Sequence, residues 1–300
     1  MLAEIDGAMG RARARGLAYW DVTRADFPLP ETAPLLAAAF EDLECGPGFA
    51  VLSGFPIGRY SYDESLLAYG GLAAHLGRIV EQTHKGDRII DVRDEGRPYD
   101  ERTRGYWSHE RLPFHTDGAD IVALLCLGTA AEGGQSVLVS GAAVHNRLCA
   151  ERPDLMDVYR RGFHHHRRGE EAPGEPPVSS ARIPVFAFHD GLLHCCYNRN
   201  PIDWAVREGV TLDAREVEAL DALDEVLARP EMQLRMDVAP GDIQLVNNYA
   251  VLHSRGHYRD DALNRRHLAR MWLHAYETRW AGPTILNLYA PHVARQRLAG

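Results

Sequence analysis

An α+β chain with a mainly β core, whose short strands close into a sandwich or barrel flanked by helices, is the fold class this sequence predicts. Three observations predict it. Short apolar runs recur between Gly, Pro and Asn punctuation, above all from Met232 to Tyr276. The regular strand–helix alternation that a mostly parallel sheet demands is missing. Helical periodicity is confined to a few stretches, the clearest being Thr211–Ala228, where Val217, Leu220, Leu223 and Leu227 share one side. At 300 residues, 45% hydrophobic and 25% charged, the chain can fill one hydrophobic core. It reads as a single domain over 1–300: a helical addition over 1–47, a barrel core over approximately 48–276, and helical insertions at approximately 142–161 and 211–228.

Taken in order, residues 1–47 hold two short helical stretches, the second over Glu31–Leu43 with Leu35, Leu36, Phe40 and Leu43 in a stripe. Phe49–Leu52 lies between glycines and reads as a buried strand. Ser61 is an N-cap for a helix running to Leu76, with Gly77 as its stop. Arg88–Val92 is a strand, and the polar stretch Asp94–Arg104 an exposed loop suited to a lid. Ile121–Leu127 is a continuous apolar run, as expected of a strand buried on both faces. Gly133-Gly134 turns the chain into a strand at Ser136–Ser140, and helices follow at Ala142–Leu148 and Asp154–Arg161. Ala172–Pro177 is a surface loop, and Ile183–Phe188 with Leu192–Tyr197 form a hairpin across His189-Asp190-Gly191. Pro230 ends the long helix, and strands are expected at Met232–Val238, Ile243–Val246, Val251–His253 and His267–Tyr276.

A formal charge of -9 and a pI near 5.9 argue against a nucleic-acid partner, and the only dense basic island, His164–Arg168, is followed at once by Glu170 and Glu171. No stretch approaches the ~18 apolar residues of a membrane span. Met1–Gly16 lacks the apolar region of a signal peptide. Five cysteines without a C-x-x-C pair fit a reducing compartment, so a cytoplasmic protein is expected. A homo-oligomer is compatible with all of this.

The chemical signal starts at Pro113–Asp117, because a His and an Asp two apart at a strand end can hold one face of a metal ion. With 15 His and 42 acidic residues, roughly two such pairs arise by chance, and the chain has one. The pair therefore needs support from elsewhere. Two imidazoles and a carboxylate leave open positions opposite, as in non-heme Fe(II) oxygenases. His253, on a later strand, is the candidate third ligand, since an antiparallel barrel makes distant strands neighbours.

With these residues in view, the sequence resembles the taurine dioxygenase-like branch of the Fe(II)/2-oxoglutarate-dependent oxygenases, which includes clavaminate synthase. The resemblance rests on stretches in the same order: His115-Thr116-Asp117, Leu124–Leu127, Gly133-Gly134-Gln135-Ser136, Asn247–Arg255 and Arg266–Leu273. It implies a double-stranded β-helix of the jelly-roll, cupin-like kind, with His115, Asp117 and His253 as catalytic iron ligands and with 2-oxoglutarate and O2 as co-substrates. Arg266 matches the arginine that grips the far carboxylate of 2-oxoglutarate, where two parallel donors suit a carboxylate better than a lysine point charge. Ser136 corresponds to a hydroxyl beside that carboxylate. Arg270, four residues past Arg266 and on the same strand face, corresponds to an arginine that reaches the substrate or supports the oxoglutarate. Gln82, Tyr106, Asn198, Arg199 and Trp204 fall on segments that flank the barrel mouth in relatives and are expected to line the substrate pocket.

The implied reaction is oxidative decarboxylation of 2-oxoglutarate to succinate and CO2, coupled to C–H hydroxylation of a small polar metabolite, such as a free amino acid or a carboxylate-bearing compound. Desaturation or ring formation by the same oxidant is the alternative outcome. Halogenating relatives replace the carboxylate ligand with Gly or Ala, and Asp117 is retained here, so halogenation is disfavoured. A non-catalytic metal-binding barrel would not need Arg266, and a zinc hydrolase on the same ligands would need neither O2 nor 2-oxoglutarate. His164–His166, three consecutive residues that cannot share a strand face, are not expected to chelate. His257, His267 and His274 are expected at the surface or in the barrel wall, Cys195-Cys196 in packing, and Arg255 in an ion pair with Asp260 or Asp261.

Overall fold

Alternation along the strands decides what each sheet buries, and in this chain both faces of both sheets are covered. The computed structural model describes residues 1–96, 105–171, 174–189, 191–276 and 278. Its first third contains helices α1 (Leu2–Ala14) and α2 (Ala33–Glu44), strand β1 (Phe49–Leu52), helix α3 (Tyr62–Ala73), and strands β2 (Gly77–Val80) and β3 (Ile89–Val92). Strands β4 (Leu112–His115), β5 (Ile121–Gly128), β6 (Glu132–Gly133) and β7 (Ser136–Ser140) come next, then helices α4 (Gly141–Glu151) and α5 (Met156–Arg161). The hairpin β8 (Phe186–His189) and β9 (Leu192–Cys195) leads to helices α6 (Arg199–Arg207) and α7 (Ala214–Ala228). Strands β10 (Leu234–Met236), β11 (Ile243–Asn247), β12 (Val251–Arg255), β13 (Tyr258–Arg259) and β14 (His267–Ala275) complete the order.

The larger sheet runs β1-β11-β5-β14-β2 with β3 also on β14, and the smaller runs β10-β7-β12-β4. The strands within both pair antiparallel. This is the expected α+β fold with a mainly β core, two antiparallel sheets face to face as a double-stranded β-helix. On the larger sheet, Ile121, Ala123 and Leu125 of β5 and Ala269, Met271 and Leu273 of β14 face outward onto Ile5 of α1, Leu36 and Leu43 of α2, and Leu66 of α3. Leu125 and Leu273 are wholly buried there, each worth roughly 1.5–3 kcal/mol of transfer free energy. On the smaller sheet, Phe114, Val137, Val139 and Leu252 pack against Val144 and Leu148 of α4, Val158 of α5, and Leu220 and Leu227 of α7. The intervening residues of each strand point between the sheets, by the two-residue period of the pleat.

Local chemistry accounts for most element ends. Ser61 and Glu64 form a reciprocal capping box at α3, and Asp213 and Glu216 do the same at α7. Gly77 is not the helix stop expected of it: α3 ends at Ala73 and Gly77 opens β2. A Cβ there would lie 2.3 Å from the His274 carbonyl, so close pairing with β14 claims this glycine. The Asp154–Arg161 helix divides into a short 3-10 turn at Pro153–Leu155 and α5. Helix α6 is not among the expected elements, and Pro201 stands in its first turn, where a proline costs no hydrogen bond. Residues 97–104 of the expected lid loop, 172–173 of the expected surface loop and Asp190 of the hairpin turn lie outside the described residues.

Candidate metal and co-substrate site

Two strands of the smaller sheet deliver the histidines. His115 ends β4 and His253 lies in β12, and the antiparallel register sets their Cα atoms opposite one another. Their neighbours Phe114 and Leu252 point outward into the core, so the pleat turns both imidazoles between the sheets. The ring centroids are 4.3 Å apart. Asp117 lies two residues beyond the strand, and its backbone N–H donates to Asn248 Oδ1 at 3.1 Å while Asn248 Nδ2 donates to the Ala119 carbonyl at 2.8 Å. That clamp fixes the loop carrying the carboxylate. Asp117 oxygens lie 3.8 Å from His115 Nε2 and 3.7 Å from His253 Nε2, and ligating atoms from all three residues fall within 4.8 Å of each other.

The larger sheet supplies the cations from β14 and the residue before it. Arg270 donates through Nη1 to Asp117 Oδ2 at 3.1 Å and through Nε to Gln82 Oε1 at 2.8 Å. Gln82 in turn donates to the Arg270 carbonyl at 2.9 Å. The guanidinium carbon sits 5.1 Å from the centroids of both Tyr106 and Trp272, and Trp272 Nε1 donates to the same Asp117 oxygen at 3.2 Å. Arg266 is 5% exposed, its guanidinium carbon 5.3 Å from the Tyr258 ring, and its Nη1 has no hydrogen-bond partner among the described residues. Gly133 and Gly134, both at positive φ, bring the turn before β7 against it. A Cβ on Gly134 would lie 3.0 Å from Arg266 Cδ, so only glycine admits this approach.

Between the two groups lies a cavity whose lining contains His115, His253, Ser136, Arg266, Arg270 and Tyr106. Leu124 and Leu268 supply apolar wall. Burial and then the neighbouring His253 push the His115 imidazole down to about 3, keeping it neutral and ready to ligate. Burial pushes the Asp117 carboxyl upward, but Arg270 and the two histidines outweigh it and hold the acid far below its usual range. Burial, then Arg255, lowers Arg266 to about 10, which leaves it cationic at neutral pH.

Two imidazoles and one carboxylate on one side, with cavity opposite, suit a divalent iron that keeps open positions. A buried guanidinium on the same cavity, its Nη1 without a hydrogen-bond partner among the described residues, suits a dicarboxylate. The residues therefore fit both groups.

Other expectations sort by geometry. Ser136 lines the cavity, with its hydroxyl donating to Gln244 Oε1 at 2.9 Å. Gln82 lies behind Arg270 as a buried support. Asn198 is buried beside the His115 backbone, with which it forms an isolated β-bridge. Arg199 is turned toward α7, paired with Asp203, Asp221 and Asp224, and Trp204 packs edge-on against His166 under Arg168. Neither is among the residues lining the cavity. Arg255, expected against Asp260 or Asp261, instead sends Nη2 to the carbonyls of Ser108 and Glu110. His164 contacts the Ser179 carbonyl and His166 accepts from the Arg168 N–H, so the triple histidine does not converge. None of the five cysteines is in a disulfide, and Cys195 and Cys196 are buried. Trp272, Asn248 and Gln244 were missed; for Trp272 the signal was available, two residues beyond Arg270 on the same strand face.

The model of the taurine catabolism dioxygenase TauD, TfdA family matches residues 13–272. FR-33289 synthase of Streptomyces rubellomurinus is 39% identical over 298 residues, covering 96% of this chain and 87% of that protein. A taurine hydroxylase-like protein of Stachybotrys chartarum is 29% identical, covering 95% and 76%. Among solved structures, the non-heme iron oxygenase OrfP in complex with Fe and alpha-ketoglutaric acid superposes with a TM-score of 0.65 at 16% identity, over 91% of this chain and 92% of that one. Asparagine oxygenase with Fe(II), 3-hydroxyasparagine and succinate gives 0.63 at 20%, over 83% and 81%. No helix among the described residues is long and apolar enough to cross a membrane.

Proposed function

Because the chain belongs to the taurine catabolism dioxygenase TauD, TfdA family, and is thus a non-heme iron oxygenase using Fe(II) and 2-oxoglutarate, we propose that it hydroxylates a C–H bond of a small polar metabolite bearing a carboxylate, with a free amino acid as the leading class. Oxidation of the substrate would be coupled to conversion of 2-oxoglutarate to succinate and CO2. The observation that carries this reading is one cavity lined by His115, His253 and Arg266, with Asp117 beside the two histidines and the buried Arg266 Nη1 without a hydrogen-bond partner among the described residues. The amino-acid preference is supported by the hydroxyasparagine and hydroxyarginine held in the asparagine oxygenase and OrfP structures.

In this reading His115, Asp117 and His253 hold the iron from one side. Arg266 receives the far carboxylate of 2-oxoglutarate, its donors already desolvated, so binding exchanges an orphaned N–H for a charge-assisted bond. Iron, with O2 as the oxidant and 2-oxoglutarate as the source of two of its electrons, would supply when bound the oxidising power that no side chain has. Arg270 orients the Asp117 carboxylate while Gln82, Tyr106 and Trp272 fix its own position, and as a cation on the cavity wall it can serve an anionic substrate group. Leu124 and Leu268 keep the reacting volume apolar and exclude water.

A screen of amino acids and small carboxylates is expected to show slow succinate formation without substrate and faster formation with the true one, and mass shifts of the product separate hydroxylation from desaturation. Succinate formation that no compound stimulates, or turnover without O2, would refute the proposal. The turn before Ser136 gives an independent check. Gly134→Ala forces a side chain into positive φ, at about 1–3 kcal/mol of stability, and moves Arg266. Its melting temperature is expected to fall and its KM for 2-oxoglutarate to rise, while Fe(II) affinity stays unchanged.

A further inference from the structure

We propose a second divalent-metal site on the outer surface, built from His109, Glu110 and His257 and separate from the site inside the barrel. One ligating atom from each lies within 4.8 Å of the others. Main-chain bonds, independent of these side chains, hold the segments together: Tyr258 N–H donates to the His109 carbonyl at 3.1 Å and Gly134 N–H to the His257 carbonyl at 3.1 Å. The two imidazoles meet edge to face with centroids 5.4 Å apart.

A fourth residue makes this more than a surface cluster. Asp94 Oδ2 lies 3.0 Å from His109 Nδ1, within hydrogen-bond reach. A carboxylate on one imidazole nitrogen fixes the tautomer and leaves the other nitrogen as a more basic ligand, the usual support behind a metal-bound histidine. Here the freed Nε2 is 3.6 Å from Glu110 Oε1. A tetrahedral ion with bonds near 2.1 Å holds its ligands about 3.4 Å apart, so the present spacing closes with small rotations. His109 and Glu110 side chains are 44% and 55% exposed and free to make them.

Two imidazoles with one carboxylate select Zn(II) or another late first-row ion over Mg(II) or Ca(II), which prefer all-oxygen shells. Bound there, the ion ties the approach to β4 to the turn between β12 and β13. That turn leads into Tyr258, whose ring lies against both Arg255 and Arg266, and Arg255 donates to the Glu110 carbonyl. The site thus braces the wall behind Arg266.

The test is metal stoichiometry on the full-length, metal-stripped chain, equilibrated with Zn(II) and measured by elemental mass spectrometry. The native protein is expected to hold two equivalents, His257→Ala one, His253→Ala one, and the double variant none. Asp94→Asn should keep the outer site with affinity about 10- to 100-fold weaker. Glu110→Gln gives a second disruption at an exposed position, and circular dichroism of the metal-free variants checks that each folds. A native chain that binds one equivalent, or folded His257→Ala and Glu110→Gln variants that still bind two, overturns the proposal.

Discussion

Asp117→Gly is expected to abolish hydroxylation, with or without added chloride. The carboxylate stands between His115 Nε2 at 3.8 Å and His253 Nε2 at 3.7 Å, while Arg270 and Trp272 donate to its far oxygen at 3.1 and 3.2 Å. Removing it deletes one of three proposed ligands and strands two buried donors at once. Loss of a supporting residue around a metal ligand already costs about 10- to 100-fold, so loss of the ligand itself should exceed the upper figure in succinate formation. Anaerobic Fe(II) titration should weaken in parallel. A variant that retained full hydroxylation would show that Asp117 is not a ligand.

Trp272→Phe separates the two contributions within the same experiment. It removes one hydrogen bond to Asp117 and keeps the ligand set, so a loss within the ~10- to 100-fold range is expected.

The sequence exposed the fold class because its strands carry their own punctuation. Phe49–Leu52 and Ser136–Ser140 match β1 and β7 to the residue, since glycines bound the first and a Gly-Gly turn opens the second. Residues drawn together by tertiary contact were harder to read. Gly77 looked like a helix stop because nothing local reports that β14 will press against it. The same divide runs through the site. His115, Asp117, His253, Arg266 and Arg270 were expected from the family resemblance, and the structure sets His115, His253, Arg266 and Arg270 around one cavity with Asp117 beside the two histidines. Arg199 and Trp204 were placed by the segment they occupy, and a segment does not say which way a side chain turns. In Arg199 three carboxylates on α6 and α7 decide it. Asn248 shows the opposite failure: its clamp on the Asp117 loop depends on a tertiary approach that the Asn247-Asn248 pair does not announce.

Arg266→Ala is expected to raise the KM for 2-oxoglutarate strongly while leaving Fe(II) affinity intact. Truncating one partner of a buried, charge-assisted pair costs about 2–5 kcal/mol, which corresponds to roughly 30- to several thousand-fold in KM. The Arg266→Lys variant distinguishes charge from geometry. A lysine restores a cation, but as a point charge that must also be desolvated, so it should recover part of the loss and not the whole. The pH dependence runs the same way. Because burial and Arg255 lower Arg266 to about 10, the guanidinium is charged below that pH and loses its proton as pH rises through it. KM for 2-oxoglutarate should therefore climb toward pH 10 in the native enzyme, and the rise should begin at lower pH in Arg266→Lys, whose amine starts from a lower ordinary value and meets the same burial. An unchanged KM in Arg266→Ala would place the dicarboxylate elsewhere in the cavity and leave the orphaned Nη1 without its explanation.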